Sequence, residues 1–183
     1  MAYNNLKTDP ALGRAIHKHL IDNGVETPTI HARNPEYETI DRQTKIELIE
    51  GYFNQIMSIL GLDLTDDSLV ETPKRVAKMY VNEIFWGLDF DAFPKCTTVE
   101  NKMNYDEMVV ERNVNVQSNC EHHFVIIDGL ATVGYIPKDK VLGLSKINRI
   151  VEYFSKRPQI QERLTEQVYY ALQYILGTDD IAV

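Results

Sequence analysis

The sequence predicts an α+β fold, with helices first, then antiparallel strands, then two more helices and a short final strand. Three observations carry that reading. Apolar residues recur at helical spacing from Asp41 to Phe85 and again from Leu144 to Ile175. Between them, around residues 110–136, they alternate at strand spacing. Nowhere do strand and helix alternate in the repeating βαβ order that builds a parallel sheet.

Residues 1–40 read as an N-terminal arm, partly helical. Leu12, Ile16 and Leu20 place a short helix at about 10–23, which Gly24 ends, and the stretch through Pro28 and Pro35 reads as irregular. His17, His19 and His31 read as scattered surface histidines. The domain proper is expected over 41–183, with added helices over 41–90 and the sheet-bearing core over 95–183. Its first helix runs from about Asp41 to Leu60, with Ile46, Leu48, Ile49, Phe53, Ile56, Met57 and Leu60 as a broad apolar face and Gly61 as the stop. Thr72-Pro73 opens the next helix as a side-chain cap followed by proline; Val76, Met79, Tyr80, Ile84 and Phe85 form its buried face, and Gly87 closes it.

Val110, Val114 and Val116 then share one face of a strand. Residues 124–127 lead to Asp128-Gly129, a hairpin-turn dipeptide, and residues 130–136 return as the partner strand until Pro137 ends it. Leu144, Ile147, Ile150, Val151 and Phe154 stripe one helix, and Pro158 breaks it. The stripe of the second is Ile160, Leu164, Val168, Ala171, Leu172 and Ile175, with Gly177 as its stop. Residues 179–183 read as a turn and the start of a strand.

Composition narrows the function. A formal charge of −8 argues against nucleic-acid binding, so an anionic ligand needs a local basic site. Two cysteines make no disulfide framework and fit a reducing compartment. No apolar run approaches the ~20 residues of a membrane helix, and Met1-Ala2-Tyr3-Asn4-Asn5 lacks the pattern of a secretion signal. The expectation is a soluble cytoplasmic protein without membrane partners.

Four segments carry candidate chemistry. Cys120-Glu121-His122-His123 sets a thiol and an imidazole three residues apart, the donors zinc prefers, with His122 beside them to move protons. A chance pairing in a loop is the other account of those four residues. Ser145, Lys146 and Arg149 open a helix, where free N–H groups and two cations on one face suit a phosphate; ordinary capping with a solvated cationic edge is the alternative. Gln161 and Glu162 begin the last helix, where a carboxylate can accept paired hydrogen bonds from a purine edge, or simply favour the helix start. Lys74, Arg75 and Lys78 form a basic face that solvent alone can explain.

Taken in order, Glu71-Thr72-Pro73-Lys74-Arg75-Val76-Ala77, Cys120-Glu121-His122-His123-Phe124, Gly143-Leu144-Ser145-Lys146-Ile147-Asn148-Arg149 and the segment from Arg157 through Thr165 resemble the GTP cyclohydrolase I family, over nearly everything from Asp41 to Val183. The resemblance implies the tunnelling fold, an antiparallel sheet backed by two helices, here with an N-terminal helical extension. It implies pentameric rings stacked as a homodecamer, with active sites between subunits. The implied reaction is zinc-dependent hydrolysis of GTP to 7,8-dihydroneopterin triphosphate and formate, the entry to tetrahydrofolate and pterin synthesis. Cys120 and His123 then correspond to two zinc ligands, His122 to the proton-transfer residue, and Glu162 with Gln161 to the guanine anchor. Ser145, Lys146, Arg149, Arg75 and Lys78 correspond to triphosphate contacts.

The sequence departs from the family at one place. The family's third zinc ligand is a cysteine in a His-x-Cys segment soon after the last helix, its histidine is a second catalytic residue, and an arginine just beyond contacts phosphate. None of the three is in this sequence. Cys96 reads as an inert small hydrophobe rather than a substitute. The expectations are a missing C-terminal tail that completes the site or, as the alternative, a truncated non-catalytic GTP-binding member or regulatory subunit.

Overall fold

The computed structural model describes residues 7–34 and 40–183. Residues 1–6, at the start of the expected arm, and 35–39, within its expected irregular stretch, lie outside the described residues. Helix α1 spans Pro10–Asp22; Asp9 caps it by accepting from the Leu12 N–H at 3.1 Å, and Pro10 takes the first position. Ile16 and Leu20 project from it into the main core. A single-turn helix, α2 (Ile30–Arg33), follows.

Helix α3 (Arg42–Ile59) starts where Asp41 accepts from the Gln43 and Thr44 N–H groups. Its apolar face is less buried than its periodicity predicts: Ile46 and Met57 are buried, whereas Leu48, Ile56 and Leu60 are exposed. The cause is packing, since within one chain α3 lies mainly against α4 (Thr72–Met79) and the π-helical turn Tyr80–Ile84 that continues it. Thr72 is not the cap the sequence predicts. It is the first helical residue, and its hydroxyl accepts from Arg75 at 2.8 Å.

The main sheet has strand order β5-β2-β3-β6. Strands β2 (Val109–Cys120) and β3 (Ile126–Tyr135) form a long antiparallel hairpin. β5 (Pro158–Gln159) joins β2 in parallel, and β6 (Ile181–Ala182) joins β3 antiparallel. β1 (Thr98–Glu100) and β4 (Lys140–Leu142) make a separate antiparallel pair. Helices α5 (Leu144–Ser155) and α6 (Gln161–Leu176) pack on each other and cover one side, with Ile147, Ile150, Val151, Phe154, Val168 and Leu172 buried against Val114, Val116 and Val133. This is an α+β tunnelling-type fold with an N-terminal helical extension. Among the described residues no helix is long and apolar enough to cross a membrane.

Two strand expectations are corrected. Asp128-Gly129 is not a turn: it lies inside β3, opposite Gln117 and Val116, and Gly129 does not take the positive φ that a tight turn of this type demands. The hairpin turns earlier, at residues 121–125. Val110 does not share a face with Val114 and Val116 either. A bulge between Glu111 and Val114, with Asn113 at φ 59°, adds one residue to β2 and inverts the alternation. Val109 packs on the core instead, and Val110 is exposed.

A buried polar knot ties the N-terminal arm to the core. Arg157 is 1% exposed; its Nη1 donates to Glu26 Oε1 at 2.5 Å, its Nε to the Gly87 carbonyl at 2.7 Å and its Nη2 to the Tyr153 hydroxyl at 3.0 Å. Its guanidinium also lies 4.8 Å from the Phe154 ring centroid. The other Glu26 oxygen meets His17 Nδ1 at 2.7 Å, and His17 Nε2 meets His31 Nδ1 at 3.1 Å. His17 is therefore buried and stacked on Phe90, not a surface residue as its sequence context suggests. Burial alone would raise the Glu26 pKa, but the charge of Arg157 and the hydrogen bond from His17 outweigh it and hold the carboxyl below its ordinary range. Gly87 is required here because a Cβ would stand 2.1 Å from the Tyr153 carbonyl oxygen.

Candidate functional site

The Cys-Glu-His-His motif is the tip of the β2–β3 hairpin. The Cys120 N–H donates to the Val125 carbonyl at 2.8 Å, and the Phe124 N–H donates to the Cys120 carbonyl at 2.9 Å. Asn119 Nδ2 donates to the Phe124 carbonyl at 2.8 Å. Phe124 sits at φ 55°, a conformation disfavoured for a bulky side chain, and its ring is packed on Phe85 and Tyr80. These ties close the loop and leave His122 and His123 exposed at its crest. Cys120 Sγ lies 3.4 Å from His122 Nδ1. The backbone N–H of His122, followed by its ring, holds the thiol below its ordinary pKa, which favours the thiolate.

Pairing of β5 with β2 brings the last helix to this tip. Cys120 is in register with Gln159, and the Glu121 N–H donates to the Gln159 carbonyl at 3.1 Å. α6 begins two residues later, so Gln161 and Glu162 stand next to the hairpin. Both are exposed, and the Glu162 carboxylate has no hydrogen-bond or ion-pair partner among the described residues. The neighbouring acid behaves differently: Glu121 is gripped by Arg163, with Nη1 on one carboxylate oxygen and Nη2 3.4 Å from the other. That hydrogen-bonded pairing holds the Glu121 carboxyl below its ordinary range. Gln161 also lines a cleft of about 370 Å³ with Ile127, Asp128, Leu164 and Thr165.

The basic cluster is elsewhere. Tyr135, at the far end of β3, donates its hydroxyl to the Leu142 carbonyl and accepts from the Leu142 N–H, which fixes the start of α5 there. Ser145 and Lys146 therefore sit near the beginning of β2, whereas Cys120 is at its end. α5 runs back along β2, with Asn148 bonded to Glu111 and Ser155 beside Gln117, so Ser145 and Lys146 are farthest from the tip and Arg149 lies part-way toward it. Arg75 and Lys78 project from α4, the helix that runs into Tyr80 beside Phe124. The Arg75 guanidinium donates to the Ser68 carbonyl at 2.9 Å as well as to Thr72. One chain thus groups the thiol, the imidazoles and the first turn of α6, and leaves Ser145 and Lys146 toward the opposite end of β2, with Arg149 between.

The donors at the tip suit zinc in kind. In number they stop at two: no group of three histidine, cysteine or acidic side chains is placed to hold a metal among the described residues. Cys96 does not add a third. Burial pushes its thiol up to about 12, and the cations near it are Lys146 and Arg149 of α5. Glu121, Phe124 and Arg163 lie inside the sequence motifs, yet the motifs alone assign them no role. Their roles come from the third dimension, since Arg163 is 42 residues from Glu121.

Comparison with known proteins decides the family. The GTP cyclohydrolase I family model matches residues 49–183, a span that holds every segment just described. The chain belongs to the GTP cyclohydrolase I family. It is 60% identical over 168 residues to the GTP cyclohydrolase 1 of Erwinia tasmaniensis, a match covering 92% of this chain and 74% of that protein. It is 58% identical to that of Enterobacter sp. strain 638 and 59% identical to that of Klebsiella pneumoniae subsp. pneumoniae, with the same coverage in each case. Membership in the GTP cyclohydrolase I family gives the chain a general role in processing GTP.

Proposed function

We propose that this chain is a GTP-binding member of the GTP cyclohydrolase I family, with the purine held between the hairpin tip and the first turn of α6. The free carboxylate of Glu162 beside the hairpin tip at 120–123 carries this reading. A carboxylate there accepts from the N1–H and the 2-amino group of guanine, and Gln161 lies next to it. Adenine offers no such donor pair, so the site rejects it. Ser145, Lys146 and Arg149, with Arg75 and Lys78, bind the triphosphate, whose charge needs several cations in a protein of net charge −8.

The start of α5, with Ser145 and Lys146, lies toward the end of β2 remote from the hairpin tip, which supports a nucleotide shared between subunits. In this reading the site is composite, as the family resemblance implies: one subunit supplies the tip and α6, a neighbour supplies the α5 start, and the working form is a homo-oligomer, a decamer in the cytoplasm. His122, exposed at the crest, is positioned to give and take protons at the purine ring. Zinc held by Cys120 and His123 would supply Lewis acidity toward water.

Two donors make the binding reading stand ahead of turnover by these residues alone. Hydrolysis of GTP to 7,8-dihydroneopterin triphosphate and formate would need a third zinc ligand in addition to Cys120 and His123. Calorimetry of the purified chain with GTP and ATP tests the first claim. GTP binds, ATP does not, and Glu162→Gln weakens GTP by about 10- to 100-fold, the value of a hydrogen bond to a charged group. Equal affinity for both nucleotides would refute it. Formate release and oxidised-pterin fluorescence with zinc supplied separate the enzyme from the binder.

A further inference from the structure

We propose that the Arg163–Glu121 pair is the positioning link that sets the Cys120–His123 hairpin at working distance from the first turn of α6. The inference rests on the GTP-binding reading of the same site. Four ties at the tip, among the described residues, divide unequally. The Phe124 ring on Phe85 and Tyr80, and the Asn119 bond to the Phe124 carbonyl, both hold the returning limb of the loop. The outgoing limb, Cys120-Glu121-His122, is held by the Glu121 N–H bond to Gln159 and by Arg163. Only Arg163 belongs to α6.

Arg163 also follows Glu162 in the same helical turn. Consecutive helical residues point about 100° apart, so one turn gives Arg163 to the hairpin and leaves Glu162 to a ligand. The backbone between them is rigid, and a shift of Glu121 relative to Arg163 is a shift of Cys120 and His122 relative to Glu162. A purine held by Glu162 and presented to His122 tolerates little such movement. The pair has the geometry of a stiff link. Its side chains are 18% and 23% exposed, and the guanidinium addresses both carboxylate oxygens. It also occupies an acid that otherwise stands 4.0 Å from His122.

The test is a double-mutant cycle in the full chain with Arg163→Ala, Glu121→Ala, the double variant and Arg163→Lys. GTP affinity is read by calorimetry, cobalt(II) affinity by visible absorption, and the order of residues 120–125 by amide hydrogen exchange. Thermal melts report folding. Each single variant should weaken cobalt and GTP binding by about tenfold, the usual effect of losing a residue that orients a metal ligand. The double variant should be no worse than the weaker single one, exchange at the tip should rise in all three, and Arg163→Lys should recover part of the loss. A melt shift with unchanged affinities and unchanged exchange overturns the proposal, as do single-variant losses that multiply in the double. If the unmodified chain binds no GTP, the functional reading fails, and cobalt affinity and exchange still decide the link.

Discussion

Two clusters in this molecule use the same three residue types, and they do opposite things. In the knot, Glu26, Arg157 and His17 are buried, paired on every side and walled by Tyr153, Phe154 and Phe90. At the tip, Glu121, Arg163 and His122 are open to solvent on at least one side, and the imidazole is free to meet a ligand. The difference is burial, and it separates structure from function. A fully satisfied buried network pins the chain in one arrangement, because any missing partner leaves a charge stranded. A pair that keeps some contact with solvent sets a geometry without bearing the fold, which is what a site needs if it must also admit substrate.

Stability is where the two clusters should differ most. Arg157→Ala leaves Glu26 buried and unpaired, and should destabilise the chain by about 3–5 kcal/mol in urea or thermal unfolding. Arg163→Ala should lower stability by no more than about 1 kcal/mol, because water replaces the lost partner. The binding readouts invert that order, since only the tip variant should weaken GTP while the chain stays folded. If both arginines prove equally important to stability, the contrast collapses and the tip is part of the fold's framework.

How much of this was legible in the sequence follows the same division. Helical periodicity placed α1, α3, α5 and α6, because each buries a stripe and a stripe repeats in the sequence. Periodicity overstated the burial of α3, since it reports which face is apolar but not whether a partner covers it. The bulge at Asn113 was hidden because one inserted residue leaves the local composition unchanged and only inverts the phase. Asp128-Gly129 misled because the dipeptide permits a turn without requiring one; Phe124, an unfavourable residue for φ 55°, took the turn instead because Phe85 and Tyr80 hold its ring. At the site, the motif residues were readable by type. Their grouping was not, since the Cys120–Gln159 register that brings α6 to the hairpin is a long-range pairing.

Acid is the gentlest way to probe the contrast, and its sign is fixed by the knot. Glu26 is held below its ordinary range in the folded state, Arg157 and His17 outweighing burial. The folded chain therefore keeps this carboxylate ionised at pH values where the unfolded chain has already bound a proton. Its contribution to stability is complete above the unfolded value of about 4.3 and is lost as pH falls through the lower folded value. Glu121 is shifted in the same direction by Arg163, but it is far less buried, so solvent screens its share. Melting temperatures measured from pH 6 downward should drop steeply in the unmodified chain. Glu26→Gln should start lower and then fall less steeply, while Glu121→Gln should leave the slope nearly as it was. An acid slope that flattens equally in both variants would mean that the tip pair is as shielded as the knot, and that burial is not what distinguishes them.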